Sequence, residues 1–398
     1  MGTGHTPDRT KPEYWRDVSI PWVTASDLSK RPSAYEPLHY TEQHVSELGV
    51  ANSSAVVHPT GTVMLCRTAS VGLFCQIGRP MATTQAFVTW TPKDELESRY
   101  LLYLIGAMRP EWDRLAYGST HLTIYFPDLA DVSIPVPPVE EQRRIANFLD
   151  DRVSRIDRII AARREQVRAV DLAAKSELAA QAFDGDEHMP LRYLIVDERL
   201  GLWGSEQGED EAEIRIARVA DFERSEFRIG DVPTVRSAPR SQVKPRLLRH
   251  GDVLLERSGG TQINPVGCPA YVESPDDNTV CSNFVSRLRP QDEVDGRYLS
   301  LLLGALYATR QQAPHSTQTT GIMNLNTTSY FSVRVPVRSH SEQLSTGKQM
   351  DAALSNSRSR QAQLNRSMEL LTEYKSSLIT AAVTGEFDVS TAGPSIQG

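Results

Sequence analysis

Ile134-Pro135-Val136-Pro137-Pro138-Val139-Glu140-Glu141-Gln142 opens a long stretch without proline, and a second start of the same kind follows near residue 335. There the chain reads Val335-Pro336-Val337 and then Glu342-Gln343. Pro135 and Pro336 are 201 positions apart (336 − 135), as are Gln142 and Gln343 (343 − 142). A helix start that recurs in register half a molecule later indicates a tandem duplication.

Matches upstream of each helix start support the duplication. Gly61-Thr62-Val63-Met64-Leu65-Cys66-Arg67 corresponds to Gly251-Asp252-Val253-Leu254-Leu255-Glu256-Arg257, and Arg99-Tyr100-Leu101 corresponds to Arg297-Tyr298-Leu299. The offset grows from 190 (251 − 61) through 198 (297 − 99) to 201, as loop insertions would cause. The sequence therefore predicts two copies of a globular unit, each followed by a long helix.

Length and composition agree with two such units. A chain of 398 residues suits two globular units of about 140 residues with helical connectors. Its hydrophobic content is 39%, its charged content 23% and its mean hydropathy −0.38. No apolar run approaches the roughly 20 residues of a membrane span, and residues 1–12 lack the apolar core of a signal peptide. We expect a cytoplasmic protein.

The cysteines and the net charge argue against further classes of protein. Cys66, Cys75, Cys268 and Cys281 have neither zinc-knuckle spacing nor the density of a disulfide scaffold, so we expect reduced, partly buried thiols. The net charge of −7 and the pI near 5.8 argue against coating of nucleic acid through bulk charge. Local basic patches stay compatible with this balance.

The stretch from Val139 to about Phe183 predicts a helix of about 40 residues, close to 60 Å long. Its heptad frame has Val153, Ile160, Val167 and Ala174 at a, and Leu149, Ile156, Arg163, Val170 and Glu177 at d. The frame shifted by 201 has Leu354, Gln361, Met368 and Lys375 at a, and Met350, Ser357, Leu364, Leu371 and Leu378 at d. Seams that are mostly apolar predict helices that need a partner.

We expect the two long helices to pair with each other as an intramolecular antiparallel coiled coil, which would put the globular units at opposite ends. A homodimeric coiled coil is one alternative, and a helix packed on its own domain is another. Sedimentation of the isolated chain would separate the intramolecular from the homodimeric arrangement.

Both globular units are predicted to be α+β, because short β-rich runs broken by Gly, Pro and Asn surround one apolar helix in each. The runs are 62–66, 85–91 and 122–126 in the first unit and 252–256, 283–288 and 331–335 in the second. The apolar helices are 96–108 and 298–307.

Polar loops after two of these strands are the candidate binding sites. The loops 67–72 and 257–264 offer backbone N–H groups, hydroxyls and a cation, which suit phosphate oxygens or base edges. A plain solvated turn has the same composition. Cations at 236–249 and polar residues at 311–324 strengthen the prediction of a DNA-binding site in the second unit. A charge run is, however, usually a solvated face. The candidate DNA-binding residues are Arg67, Ser70, Tyr117, Ser119, His121, Arg236, Arg240, Lys244, Arg246, Arg257, Gly260, Thr261, Gln262, Asn264 and Gln318.

The motifs of common enzymes are missing. The sequence has no Gly-x-x-x-x-Gly-Lys-[Ser/Thr] loop, no dinucleotide-binding Gly-x-Gly-x-x-Gly, no His-x-x-x-His pair and no Gly-x-Ser-x-Gly elbow. Asn264-Pro265-Val266-Gly267 lacks the aromatic residue of an adenine methyltransferase motif and is interpreted as a turn. A binding protein is favoured over an enzyme.

Taken together, these motifs resemble the specificity subunit of type I restriction-modification systems. The resemblance is carried by the run 134–146 with the long helix after it, by Gly61 to Gly72 with Thr84-Gln85-Ala86-Phe87, and by Lys375-Ser376-Ser377-Leu378-Ile379 with Val383-Thr384-Gly385 and Phe387. It covers almost the whole chain.

The resemblance implies two target recognition domains, 1–138 and 185–338, each reading one half of a split DNA target. Conserved helical spacers at 139–184 and 339–386 would hold them apart, and 387–398 would be a flexible tail. It implies two docked methyltransferase subunits for DNA methylation and a place for restriction subunits, which would cleave DNA in phage defence. The chain would bind no cofactor, while its partners would bring S-adenosylmethionine, ATP and Mg.

The sequence departs from this pattern in two places. The first half reaches Ile20-Pro21-Trp22-Val23 almost at once, whereas the second uses 191–213 before its counterpart at 214–217, which leaves open whether the first domain has an opening element. Val337-Arg338-Ser339-His340-Ser341 also replaces the expected second proline of the motif. The alternative function is a coiled-coil scaffold that binds peptide or RNA partners.

Overall fold

The protein, described by a computed structural model over residues 1–319 and 321–391, divides into two compact units. Unit 1 comprises Met1–Arg163 and Arg366–Gly398, and unit 2 comprises Arg164–Asn365. Both units mix helices and sheets, in agreement with the predicted α+β class.

Unit 1 contains two small sheets and a set of helices. Its strands are β1 (Gly2–Thr3), β2 (Ile20–Val23), β3 (Gln43–Val45), β4 (Val63–Cys66), β5 (Phe74–Gln76), β6 (Ala82–Thr83) and β7 (Phe87–Trp90). Its helices are α1 (Ala25–Ser29), α2 (Glu47–Ala51), α3 (Ser98–Ala107), α4 (Arg109–Leu115), α5 (Phe126–Ala130) and the first part of α6 (Val139–Phe183). The strand orders are β1-β7-β4-β5 and β3-β2-β6.

Helix α3 joins the sheet of unit 1 to the long helices because both of its faces are apolar. Leu101, Leu102 and Ile105 pack with Val63 and Leu65 of β4. Tyr100, Tyr103 and Leu104 pack with Leu149 of α6 and with Ile379 and Val383 near the end of the second long helix. Burial on both sides therefore makes α3 the core of unit 1.

Unit 2 follows the same plan with longer loops. Its strands are β8 (His188–Pro190), β9 (Ile195–Leu200), β10 (Ala212–Ala217), β11 (Phe222–Glu223), β12 (Arg228–Ile229), β13 (Val235–Ala238), β14 (Val253–Glu256), β15 (Ser258–Gly260), β16 (Pro269–Tyr271), β17 (Thr279–Cys281), β18 (Val285–Pro290), β19 (Ser316–Thr319), β20 (Ile322–Leu325) and β21 (Arg334–Pro336). Its helices are α7 (Arg240–Val243), α8 (Gly296–Ala308), α9 (Thr327–Tyr330) and the first part of α10 (His340–Thr384). The strand orders are β11-β12-β16-β14-β18-β9, β13-β10-β17, β15-β20-β19 and β21-β8.

Strand pairing shows that the two units are copies of one design. Strand β4 lies between β5 and β7, both antiparallel to it, and β14 lies in the same way between β16 and β18. Strands β6 and β17 are parallel to β2 and β10, respectively. Strand β1 pairs with β7 as β9 pairs with β18. Gly2–Thr3 therefore occupies the position of an opening strand in unit 1, which answers the question that the sequence left open.

Two buried glutamines explain why the helix starts recur in register. The Gln142 side chain is fully buried, its Oε1 accepts the Glu97 N–H at 2.7 Å, and its Nε2 donates to the carbonyls of Pro137 at 2.8 Å and Glu95 at 3.0 Å. In unit 2, the Oε1 of buried Gln343 accepts the Asp295 N–H at 2.9 Å. Its Nε2 donates to the carbonyls of Arg338 at 3.0 Å and Glu293 at 3.4 Å. Each glutamine thus ties a long helix to the loop before the apolar helix of its unit.

An arginine–aspartate pair adds a second tie in each unit. Arg99 of α3 forms an ion pair with Asp150 of α6 and donates to the Tyr35 carbonyl at 2.7 Å. Arg297 of α8 forms an ion pair with Asp351 of α10 and donates to the Phe227 carbonyl at 3.0 Å. Arg99 and Arg297 are 198 positions apart, and Asp150 and Asp351 are 201 positions apart. The offsets seen in the sequence therefore reflect a polar network that is repeated in the two units.

Segments of the two long helices run antiparallel within unit 1. The apolar residues Leu149, Val153, Ile156 and Ile160 of the predicted seam are buried. Lys375, which interrupts the second seam, pairs with Asp157 at 2.6 Å. Its charge is therefore neutralised where the heptad pattern has a polar residue.

The helix segments of unit 2 follow the predicted seam less closely. Met350 and Ser357 are buried as the frame predicts, and so is Ala174. The d position Glu177 is exposed, however, and the neighbouring Leu178 is buried instead. A straight α-helix drifts by about 20° per heptad, so an extrapolated frame moves off the apolar face after several turns.

The C-terminal segment differs from the predicted flexible tail. Phe387 lies against Phe148 with ring centroids 5.7 Å apart, and Val389 is buried in the same cluster. Residues 392–398, which complete the predicted tail, lie outside the described residues.

The four cysteines are free thiols and are fully rather than partly buried. Burial raises the pKa of Cys75, Cys268 and Cys281 to about 12, so these thiols stay protonated and unreactive at neutral pH. In the part of the chain that the structure describes, no helix combines the length and apolar character needed to cross a bilayer.

Candidate nucleic-acid interface

In unit 1, Arg67 is fixed at the end of β4 by backbone bonds on both sides. Its N–H donates to the Ala86 carbonyl at 2.8 Å, and its own carbonyl accepts the Ile124 N–H at 2.8 Å. The guanidinium carbon lies 4.7 Å from the ring centroid of Phe126. Such a stacked guanidinium keeps free donor edges for an anion or a base.

The structure brings the two candidate loops of unit 1 together. The Ala69 N–H donates to the Leu122 carbonyl at 2.8 Å, which joins the loop after Arg67 to the loop that begins at Tyr117. Tyr117, Ser119 and His121 are exposed on this surface, and Ser70 is half-buried. Tyr125, which the sequence analysis missed, is 56% exposed, with its ring centroid 6.4 Å from that of Tyr117.

Arg257 has the equivalent position in unit 2. Its N–H donates to the Phe284 carbonyl at 2.8 Å, and its carbonyl accepts the Leu325 N–H at 2.8 Å. Its Nη1 lies 3.6 Å from a Glu198 carboxylate oxygen. Both units therefore place an arginine at the end of the central strand, between two returning segments.

The polar loops of unit 2 also meet. Strand β15 pairs with β20, and the Ser258 hydroxyl donates to Oδ1 of Asn324 at 2.6 Å. The exposed candidates of these loops are Thr261, Gln262, Asn264 and Gln318. Gly260 is buried instead, and an added Cβ would lie 2.4 Å from the Val266 nitrogen. Its role is therefore to allow close backbone packing rather than to contact a ligand.

Two arginines of the basic cluster of unit 2 are held by neighbouring groups. Arg236 forms an ion pair with Glu206, and its guanidinium carbon lies 4.9 Å from the ring centroid of Trp203. Arg246 donates to the carbonyls of Leu200 at 3.1 Å and Gln242 at 2.9 Å. The guanidinium groups of Arg236 and Arg246 are therefore oriented by neighbouring groups.

Arg240 and Lys244 complete the cluster. The Arg240 backbone N–H donates to the Glu211 carboxylate at 3.2 Å, and Lys244 is exposed. The sequence analysis missed the acidic partners Glu206 and Glu211. The acidic run at 206–213 was the available signal, because carboxylates close in sequence to a basic run often pair with it.

A buried carboxylate lies directly behind Arg257. Glu256 pairs with Arg224 at 2.8 Å and is 1% exposed. Burial raises the pKa of Glu256 to about 7, although the Arg224 guanidinium opposes this shift. Near neutral pH, Glu256 is therefore partly protonated, which limits the negative charge behind the candidate surface.

No cluster of three or more His, Cys, Asp or Glu side chains within residues 1–319 and 321–391 is arranged to hold a metal ion.

Residues 2–169 match the family described as "Type I restriction modification DNA specificity domain". This match covers less than half of the 398-residue chain. The resemblance to specificity subunits of type I restriction-modification systems is confirmed.

Two similar proteins are named specificity subunits of type I restriction enzymes. The Type I restriction enzyme MjaIX specificity subunit of Methanocaldococcus jannaschii is 34% identical over 150 residues, which cover 37% of this chain and 34% of the relative. The EcoR124I/EcoR124II specificity subunit of Escherichia coli is 27% identical over 153 residues, 37% of each chain. Both relatives are named specificity subunits, which agrees with the prediction of a specificity subunit rather than an enzyme. The chain thus spans little more than a third of the length of these two relatives.

Solved structures share the fold across the chain. A chain from a structure on "complex assembly" and "conformational transition of the type I R-M system" covers 97% of this chain and 96% of its own length, with a TM-score of 0.73 and 18% identity. The HsdS subunit from Thermoanaerobacter tengcongensis covers 97% of this chain and 95% of its own length, with a TM-score of 0.52 and 18% identity.

Proposed function

We propose that this chain is the sequence-specific recognition subunit of a type I restriction-modification complex and reads a bipartite double-stranded DNA target. The observation that carries the proposal is the repeated arginine site, in which Arg67 and Arg257 have the same backbone bonds at the end of β4 and β14. Two copies of one reading site suit a target with two separate halves.

In this proposal, the target recognition domains at 1–138 and 185–338 are related by a pseudo-twofold axis and separated by an antiparallel coiled coil. Helices α6 and α10 have 45 residues each, about 68 Å at 1.5 Å per residue. Such a length exceeds the roughly 34 to 36 Å of one DNA turn. The two halves of the target would therefore flank a gap that the chain does not read.

The chemistry belongs to partner subunits in this proposal. Two methyltransferase subunits would dock on the helical spacers and bind S-adenosylmethionine, and restriction subunits would use ATP and Mg in the cytoplasm. The names of the relatives as type I restriction enzyme specificity subunits support these partners.

Duplex binding tests the proposal directly. The chain, co-purified with its methyltransferase, is expected to prefer the duplex that carries its methylated motif over a scrambled duplex. Binding to scrambled DNA is expected to fall more steeply between two salt concentrations, because it rests on phosphate contacts. Equal binding to both duplexes, with tighter binding to RNA or peptide, would instead support the scaffold function.

Replacing Arg257 by alanine is expected to weaken binding to the specific duplex by about 1 to 3 kcal/mol and to relax base preference in one half-site. The side chain is 33% exposed and is held only loosely by Glu198, so it is free to reach a base edge. Anisotropy titrations with single-base variants of both half-sites measure the effect. Arg67→Ala is the matched control, and it is expected to relax base preference in the half-site read by unit 1 instead. An equal loss across all sequences would mean that Arg257 contacts phosphate.

A further inference from the structure

An apolar groove in unit 2 lies next to the Arg257 loop. Its volume is about 270 Å³, and it is lined by Trp203, Val219, Ala220, Ser258, Gly259 and Phe284, among others. Trp203 is 38% exposed and Phe284 is 46% exposed. Two large aromatic side chains therefore present their rings to solvent on one small surface.

Backbone bonds fix this groove to the candidate reading site. The Phe284 carbonyl accepts the N–H groups of Arg257 at 2.8 Å and Ser258 at 3.3 Å. Ser258 and Gly259, which follow Arg257 directly, line the groove. The groove therefore begins at the residues that directly follow Arg257 in the chain.

Arginines border the apolar surface. Arg236 stacks on Trp203 and is oriented by its ion pair with Glu206. Arg218 lines the groove and is held by Asp221 through bonds of 2.9 Å and 3.3 Å. Apolar contact flanked by ordered cations is complementary to a DNA groove, where base edges lie between two rows of phosphates.

We propose that this groove receives the C5-methyl edge of a thymine in the half-site read by unit 2, with Trp203 and Phe284 as specificity-determining residues. The inference rests on the proposed function. Among the four bases, thymine presents a methyl group in the major groove. The polar edges of the other bases would lose hydrogen bonds to water against the ring faces without replacing them.

Uracil substitution tests the proposal, because uracil lacks only the methyl group. The methylated motif is first mapped in a host that carries the complex. Each thymine of the unit 2 half-site is then replaced by deoxyuridine, one at a time, and binding by the complex is measured. One replacement is expected to weaken binding about fourfold, the factor for burial of one methyl group.

Variants at Phe284 test whether the weaker binding of the uracil duplex arises in the groove. Phe284→Ala is expected to bind the thymine duplex about fourfold more weakly and to lose the preference for thymine over uracil at that position. Its fold should persist, because the backbone carbonyl makes the bonds to Arg257 and Ser258. Phe284→Leu keeps an apolar side chain and is expected to keep the preference. Tyr193→Ala, at a residue of unit 2 that is 58% exposed, is the matched control and should change neither value.

Three results would contradict the proposal that the groove receives a thymine methyl group, while leaving the proposed function intact. They are a half-site without thymine, an unchanged affinity of the natural chain for every uracil duplex, and a Phe284→Ala complex that still prefers thymine. The absence of any sequence preference for duplex DNA would instead contradict the proposed function, and the groove proposal with it.

Discussion

Replacing Gln142 by alanine is expected to lower the free energy of unfolding of unit 1 by about 3 kcal/mol. The side chain is fully buried and bonds to three backbone groups, those of Glu95, Glu97 and Pro137. Alanine removes the partner of all three backbone groups, and a buried polar group left without a partner costs about 1 to 3 kcal/mol. The expected loss is large because no other part of the truncated side chain can replace these bonds.

Hydrogen exchange during urea unfolding measures this effect, since peptides from the two units report on them separately. Glu140→Ala is the matched control on the same turn, because its ion pair with Arg143 is exposed and should contribute less than about 1 kcal/mol. Gln343→Ala is expected to destabilise unit 2 in the same way. The loss should be smaller, because one of its bonds is 3.4 Å long. A Gln142→Ala chain as stable as the Glu140→Ala chain would show that the glutamine tie is dispensable.

The sequence predicted those parts of the fold that repeat. Gln142, Gln343, Arg99 and Arg297 recur in register because each makes buried polar bonds that few other side chains could make. A constraint of this kind leaves a trace in a single sequence. The short strand Gly2–Thr3 left no such trace, because it pairs through backbone groups that any residue could supply.

The candidate site was only partly predictable for a related reason. The loops that begin at Arg67 and Arg257 were recognisable, because a cation and small polar residues follow a strand directly. Trp203 and Phe284 line one groove although 81 residues separate them (284 − 203). Local patterns carry no information about such a distant meeting, and only the chain topology reveals it. The ion pair of Arg236 with Glu206 spans only 30 positions, and the acidic run at 206–213 was a signal for it.

Inserting four residues into both α6 and α10 is expected to change the methylated motif, with a gap longer by about two base pairs. The insertions would follow Arg163 and Asn365, where the compact units divide. Four residues add about 6 Å of helix at 1.5 Å each, and one base pair spans about 3.4 Å. The bases read in each half-site should stay the same, because both arginine sites lie outside the helices.

Methylation mapping in a host that carries the variant complex reads the gap directly. An insertion in α6 alone is the matched control. It would shift one seam against the other, so that the Lys375–Asp157 pair and the Ser357–Val170 hydrogen bond could not both form, and should reduce methylation without giving a new motif. An unchanged gap in the double variant would refute the idea that helix length sets the spacing. A changed gap would show that the repeated helices determine the distance between half-sites, while the loops at Arg67 and Arg257 determine the bases.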